Sequence, residues 1–496
     1  MKHSRFLFLA VALLANLLAG PAARAQTPEW IWFDKNPPAD GEVRFFRKTF
    51  TVAGPVSKAF LTTAADDEVT FYLNGKRVAG SRAWQRPAFV DLSGKLKTGE
   101  NVLAAECRNE GGEAAFIARL SITPANGDTQ TVVTDTSWRS SAKREADFAK
   151  PEFADAAWTP AVSKGKLGDE PWGDIMSPRQ ATPADALATL PGFQVELVRS
   201  AGPEEGSWVA MTIDDKGRLI ISPQEGVNNI LRLTLAGGKV EKVENINLPV
   251  GGAMGLLYAD GDLYVNGQGK GGLALYRLRD TNNDDQYDTV EVLRQWKGDG
   301  GEHGPHGVVL GPDNHLYVVC GNFVDVPDDR LPSSPHRNYA DDLVLQRAED
   351  GNGFGAGRKP PGGFVLRMDR DGKNGELFAA GQRNTYDIAF NPDGELFGFD
   401  SDMEWDWGAP WYRPIRINHI VSGGDYGFRE GSGKWPIWYP DSLPTTLNIG
   451  IGSPTGVKFG TQAKFPVKYR QALYAMDWTY GRLIAVHLTP KGSTYE

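Results

Sequence analysis

The chain of 496 residues is 41% hydrophobic and 10% aromatic, with 58 Gly and 32 Pro, which excludes a disordered or fibrous protein and exceeds one ordinary domain. Its formal charge of -9 leaves no basic footprint for nucleic acid. Two cysteines, Cys107 and Cys320, exclude both a disulfide framework and a Cys-x-x-Cys-His haem site, and both read as small buried hydrophobes.

In chain order, Lys2, His3 and Arg5 precede the apolar run Phe6 to Leu18, and Ala23-Arg24-Ala25 supplies a small-x-small cleavage site before Gln26. Residues 1–25 therefore read as a signal peptide, cleaved after Ala25, of a periplasmic or secreted protein. The apolar run is short for a membrane span, and no cysteine follows the site to carry a lipid. The mature chain is expected to have no membrane span.

Residues from about 28 to 125 alternate apolar and polar in short runs, as in Val43 to Val52, Glu68 to Leu73 and Asn101 to Glu106, a β-sandwich pattern within a domain drawn at 28–175. Asn74-Gly75 reads as a hairpin turn. The stretch Asp66 to Val78, followed by Val90-Asp91-Leu92 and Gly99 to Ala104, resembles the jelly-roll accessory domains of the rhamnosidase and β-galactosidase type, and Asp135-Thr136-Ser137-Trp138 and Asp155-Ala156-Ala157-Trp158 continue the likeness. The resemblance implies a galactose-binding-like sandwich, which in some relatives binds sugar and in many supports a neighbouring domain. Residues 176–189, with Pro178, Pro183 and several Ala, read as a linker.

From 190 to 496 one phrase recurs: a turn of Asp, Gly or Asn, then Leu and an aromatic or aliphatic residue. It stands at Asp214 to Ile220, Asp260 to Tyr264, Pro312 to Tyr317 and Pro392 to Phe397, and degenerately at Tyr469 to Tyr474. Repetition at this scale means radial or stacked architecture, and each beat reads as the inner hairpin of a propeller blade. The predicted class is all-β: a jelly-roll sandwich, then a six-bladed type of propeller with about five blades present, drawn at 190–236, 240–279, 288–371, 374–421 and 438–490. The third and fourth carry long insertions, where function concentrates.

Between the second and third beats, Asp280, Asn282, Asp284, Gln286, Asp288 and Glu291 stand at positions one, three, five, seven, nine and twelve of a calcium loop, with Asp285 where the motif has Gly. Calcium in a stabilising role is expected there; the bland alternative is a solvated acidic turn. Before the third beat, Gly301-Glu302-His303-Gly304-Pro305-His306-Gly307 places two histidines on the approach to an inner strand. That pattern suits a general base with an orienting partner, a pair of metal ligands, or structural histidines.

Here the chain resembles the quinoprotein glucose/sorbosone dehydrogenases. The likeness rests on His303 ahead of Gly311-Pro312-Asp313, on Gly321-Asn322, on Gln382-Arg383-Asn384 before Asp387-Ile388-Ala389-Phe390, on Gly423 to Phe428 and on Ser453 to Val457. It implies a six-bladed propeller holding pyrroloquinoline quinone and calcium, His303 or His306 as the base that takes a sugar hydroxyl proton, and Arg383, with Asn384, at the cofactor. A further likeness, over about 190–496, is to the large "membrane-bound dehydrogenase" proteins of planctomycetes and verrucomicrobia. They share Asp400 to Asp406, Pro410 to Pro414, Gly433 to Pro436 and Tyr439 to Pro444, and their frequent haem-binding domain implies a haem electron acceptor.

Two departures stand out. Gly307 replaces the Arg usual in the sugar dehydrogenases, and the acidic Asp400 to Asp406 segment replaces their cofactor-calcium loop. Asp400, Asp402 and Glu404 are together compatible with a second cation, or Asp402 and Glu404 with ion pairs to Arg413 or Arg416. Trp405, Trp407, Trp411 and Tyr412 are compatible with a stacking platform or with loop packing. Lys458 and Arg482 are candidate anchors for an anionic cofactor. The leading expectation is oxidation of a sugar or polyol hydroxyl with a bound quinone; the alternatives are a non-catalytic carbohydrate-binding or scaffolding module and a metal-dependent hydrolase or lactonase. Five beats against six blades imply a missing last blade or an unusual closure.

Overall fold

The computed structural model describes residues 27–496 apart from 86, 126–127, 178–179, 203–204, 225, 338–357, 359–360, 405–408, 410 and 430–441. The signal-peptide segment, Trp405, Trp407 and the Gly433 to Pro436 motif lie outside the described residues. The chain divides into two units, Met1–Arg179 with Gly202–Glu204, and Gln180–Ala201 with Glu205–Glu496. Both are built of antiparallel strands, as the alternation of apolar and polar residues requires.

The first unit is a pair of six-stranded sheets. Val43–Val52, Glu68–Leu73 and Gly99–Arg108 share one sheet, with Val43 opposite Arg108 and Leu73 opposite Leu103. Asn74 and Gly75 have φ of 49° and 83°, as a two-residue hairpin needs. Phe116 anchors the core, with its ring 5.3 Å from Phe46, 5.9 Å from Phe71 and 5.5 Å from Trp138. Trp138 is buried because its indole N–H finds a partner, donating to Val133 O at 2.8 Å.

Among the described residues the second unit carries four four-stranded sheets, one of three strands, and the two-stranded hairpin of Pro490–Lys491 and Thr494–Tyr495 outside them. Each of the five larger sheets opens on an inner strand: Trp208–Ile213, Val250–Ala259, Pro305–Leu310, Ile388–Phe390 and Pro454–Phe459. Each inner strand packs on the next in chain order. Apolar clusters fill the joints, such as Leu256, Leu263 and Ile230 between the first two sheets and Leu275, Val308 and Leu366 between the next two. The Asp-Gly beats do join the first and second strands of each sheet.

The blade boundaries drawn from sequence need correction. Lys239–Ile246, Thr289–Gln295, Glu376–Gln382 and Leu447–Gly450 are the fourth strands of the sheets before them. A turn signal marks the inner hairpin and says nothing of where the outer strand ends. Residues 190–198, expected to begin the first blade, form no strand.

In the first unit, Arg47 is buried and donates to Asp155, at 3.0 Å, and to the carbonyls of Phe148, Lys150, Pro151 and Phe153. It holds the whole 148–155 loop on its sheet. Arg47→Met strands those acceptors and should cost about 3 kcal/mol, read as a lower unfolding midpoint of this unit in thermal denaturation. Only a shift within error would show that the loop is held otherwise.

Candidate active site

Three loops at the starts of inner strands meet in the second unit. The turn Gly301–His303 precedes the third inner strand, residues 321–324 follow that sheet's second strand, and residues 383–387 precede the fourth inner strand. Main-chain bonds fix them together: Asn322 N donates to Arg383 O at 3.0 Å and Phe323 N to His303 O at 3.2 Å. The Asn384 amide reaches Glu302 O at 2.7 Å.

His303 is buried at this junction. Its Nδ1 pairs with Asn322 Oδ1, so with Nδ1 donating the lone pair sits on Nε2. Its ring lies against Phe323, with centroids 4.8 Å apart, and the Arg358 guanidinium sits 4.3 Å from the centre of that same Phe323 ring. Burial, and after it the Arg383 guanidinium, push the His303 pKa down to about 3. The imidazole is neutral at physiological pH.

His306, three residues on, has a different setting. It is 0% exposed, its Nδ1 is 3.2 Å from Thr385 O, and its ring stacks on Tyr386 with centroids 4.8 Å apart. The Tyr386 hydroxyl donates to Val209 O at 2.9 Å and lies 3.5 Å from the Met254 sulfur. His306 and Tyr386 thus plug the place where the first four inner strands converge. His306 is thus enclosed by main chain and an aromatic ring.

Arg383 is held from behind. Asp400, fully buried, accepts from Arg383 N, Asn384 N and Ser401 N and from the Arg416 guanidinium at 3.1 Å. The Arg383 Nη1 donates to Ser401 Oγ at 2.8 Å, with an Asp402 oxygen 3.9 Å away. Asp402 takes a hydrogen bond from Tyr412 at 2.7 Å, and burial raises its pKa. Asp400 is therefore a clasp for main chain and Arg416, which corrects its reading as a cation ligand. A second carboxylate, Asp387, accepts from Ile388 N and Val457 N, and burial pushes its pKa up to about 6. Asp387 also explains Gly307: a Cβ there would stand 2.5 Å from Asp387 Oδ1, so no larger side chain fits.

The remaining candidates lie elsewhere. Arg482 is taken by Asp477 and by Ile451 O at 2.9 Å, which corrects its reading as a cofactor anchor. Lys458 is exposed on the last inner strand, and Trp411 is exposed. Asp280, Asn282 and Asp284 accept from main-chain N–H groups of their own turn, and Asp288 accepts from Thr281. Gln286 shows its main-chain N–H to Asp284 Oδ1. Glu291 cannot close the loop as a twelfth-position ligand, because it sits in the strand Thr289–Gln295 and pairs with Arg277 at 2.6 Å. The turn lies inside the second sheet, between its third and fourth strands, and not between blades. No group of three His, Cys, Asp or Glu that could hold a metal occurs among the described residues.

A cleft of about 360 Å³ opens alongside the His303 turn, lined by Gln224, Gly252, Met254, Gln268, Gly301 and Pro305. Sequence reasoning missed Tyr386, Phe323 and Arg358. Tyr386 adjoins the Gln382-Arg383-Asn384 phrase, but nothing in its spacing shows that it reaches the first three sheets.

No family model matches the chain. The alpha-L-rhamnosidase of Streptomyces avermitilis is 30% identical over 177 residues, 32% of this chain and 17% of that protein. The chain thus spans about 17% of the length of this curated relative. Among solved structures, the PQQ-bound aldose sugar dehydrogenase of Streptomyces coelicolor is 17% identical with a TM-score of 0.40, over 58% of this chain and 79% of that one. A Thermus thermophilus protein named as an oxidoreductase (glucose dehydrogenase) is 20% identical with a TM-score of 0.41, over 58% of this chain and 82% of that one.

The buried His306 sets a pH dependence. Burial pushes its folded pKa down to about 4 from 6.5, so above pH 6.5 both states are neutral and the stability is whole. As pH falls towards 4 the unfolded chain takes up a proton that the folded one refuses, and stability is lost. The wild type's stability relative to His306→Gln should fall by about 3 kcal/mol between pH 7 and pH 4, measured by urea unfolding at both values. A pH-independent difference would show that His306 titrates normally.

Proposed function

We propose that the second unit oxidises a sugar or polyol hydroxyl in an exported protein, with His303 as the base and a bound quinone as the oxidant. The observation that carries the reading is the juxtaposition of a neutral, buried imidazole with two guanidinium groups, Arg383 and Arg358, beside an open cleft. A quinone, when bound, supplies the two-electron acceptor that alcohol oxidation needs. Arg383 and Arg358 act on His303 through their charge and would meet a planar anion of that kind, Arg358 by exchanging its ion pair with Asp299. Arg482 is paired in the same way, with Asp477.

His303 would take the hydroxyl proton on Nε2 while Asn322 fixes its tautomer. Its depressed pKa makes it a weak base in the ligand-free chain. An anion seated on Arg383 and Arg358 offsets their charge and raises the proton affinity of the ring towards its working range. The rhamnosidase-like stretch accords with a carbohydrate substrate. Passage of electrons to a haem partner belongs to the same proposal; calcium in the 280–288 turn would have to be held without Glu291.

Reconstitution of the chain with pyrroloquinoline quinone and dye-linked assay on a panel of aldoses tests it. His303→Ala should lower kcat by about 100-fold or more, while Arg383→Lys chiefly weakens quinone binding. Turnover that survives His303→Ala would remove the base from the reading. Tight sugar binding with no turnover in the wild type would favour the carbohydrate-binding module.

A further inference from the structure

The end of the sheets that carries His303 and Arg383 also carries a run of exposed aromatic rings. In each sheet the loop before the inner strand and the loop after the second strand stand at one end, because those two strands are antiparallel. The His303 and Arg383 loops are of this kind, and so are residues 401–414 of the fourth sheet and 451–453 and 478–481 of the fifth. Within them Trp411, Ile451 and Tyr480 are 58%, 58% and 55% exposed, and Trp478 is 77% exposed. Tryptophan is on average a well-buried residue, so rings this far into solvent, grouped on neighbouring loops, mark a binding surface.

The loops that present these rings are firmly held. Asp477 is buried and accepts from Ser453 N at 2.9 Å, Thr479 N at 3.1 Å and Arg482 Nε at 2.8 Å, so one carboxylate fixes the chain on both sides of Trp478. Arg482 lies 4.8 Å from the centre of the Tyr480 ring and donates to Ile451 O at 2.9 Å. From the fourth sheet, the hydroxyl of Tyr412, next to Trp411, donates to Gly450 O at 3.2 Å. Residues 450–453 therefore join the loops of the two sheets into one strip. Polar groups stand between its rings: the Thr479 hydroxyl donates to Ser453 Oγ at 2.8 Å, and both residues are within reach of solvent.

The chemistry of the strip selects its occupant. Rings on a rigid support suit the C–H face of a sugar, and the hydroxyls and guanidinium between them suit its hydroxyl groups. A formal charge of -9 disfavours an anionic membrane surface. A single sugar ring covers one aromatic ring, whereas rings on two neighbouring sheets call for a chain. We infer that this strip binds an extended oligosaccharide on the face where the proposed oxidation takes place, so that the substrate is a sugar chain and not a free monosaccharide. The identity of the substrate rests on that proposed reaction; binding at the strip stands apart from it. Contacts made remote from the reacting hydroxyl are a source of binding energy for the reaction.

Isothermal titration of the chain, with no quinone added, against neutral gluco-, xylo- and rhamno-oligosaccharides and against their monosaccharides tests this. At least one oligosaccharide should bind about tenfold or more tightly than its monosaccharide, and Trp478→Ala with Tyr480→Ala should remove that gain. Both side chains are exposed, so the unfolding midpoint of the double variant should match the wild type, and Trp478→Phe, which keeps a ring, should keep part of the gain. Equal affinities for every oligosaccharide and its monosaccharide, or a double variant that binds like the wild type, would overturn the inference. Binding of anionic vesicles in place of sugar, or a dimer that the double variant dissolves, would overturn it too, by giving the strip to a membrane or to a second copy. Dye-linked turnover is read separately, on monosaccharides with quinone. Its absence alone would end the proposed oxidation and leave the strip, whereas turnover without oligosaccharide binding would end the strip and leave the oxidation.

Discussion

The Tyr386 side chain crosses the middle of the propeller unit, with its ring stacked on His306 of the third sheet and its hydroxyl bonded to Val209 O of the first, beside Met254 of the second. Its own main chain accepts from Gly307 N at 3.0 Å. One residue therefore ties the inner strands of four sheets at the place where a propeller would otherwise have a channel. Because interiors are close-packed, such a plug sets the spacing of everything built on it. The cleft lined by Gly301 and Pro305 also has Met254, which lies beside the Tyr386 hydroxyl, in its wall.

Electrostatics then does the aiming. Asp400 gathers three main-chain N–H groups and Arg416, which makes the start of the 383–387 loop rigid. Arg383 leaves that anchored backbone with its guanidinium steadied by Ser401. Burial, and after it the cation so placed, lowers the proton affinity of His303. Under the proposed reaction an anion that neutralised Arg383 would lift the second of these contributions and leave the first.

How much of this was legible in the sequence varies with the range of the interaction. Turn chemistry is local, so the Asp-Gly beats, the Asn74-Gly75 hairpin and the strands at Val43 and Glu68 are where the pattern puts them. Outer strands carry no such signal, and the drawn blades stop one strand short. His303 and Arg383 were found through their local phrases, but the different settings of His303 and His306 depend on Tyr386, which is remote in sequence from both. Arg482 looked like an anchor because a lone exposed Arg has no visible partner; Asp477, across the hairpin, supplies one. Gly307 looked like a loss until Asp387 appeared opposite it.

The turn at 280–288 shows why ligand spacing underdetermines a metal site. Asp285 takes up the left-handed conformation that its position demands, with φ of 68°, and this turns its carboxylate outward. There it meets Arg218 in a two-pronged pair at 2.6 and 2.7 Å and Lys216 at 2.8 Å, and these cations hold its pKa well below the usual carboxylate range. Arg218 also grips Asp214, so the second sheet's turn is tied to the first sheet's beat. Asp280, Asn282 and Asp284 point the other way and spend their oxygens on peptide N–H groups of the turn itself. The spacing that wraps oxygens round a cation also wraps them round a chain of amides, and the residue that breaks the motif converts the turn into a clamp between sheets. An oxygen that accepts one peptide N–H keeps a second lone pair for a cation, so what the turn lacks is its twelfth-position carboxylate, which Glu291 gives to Arg277.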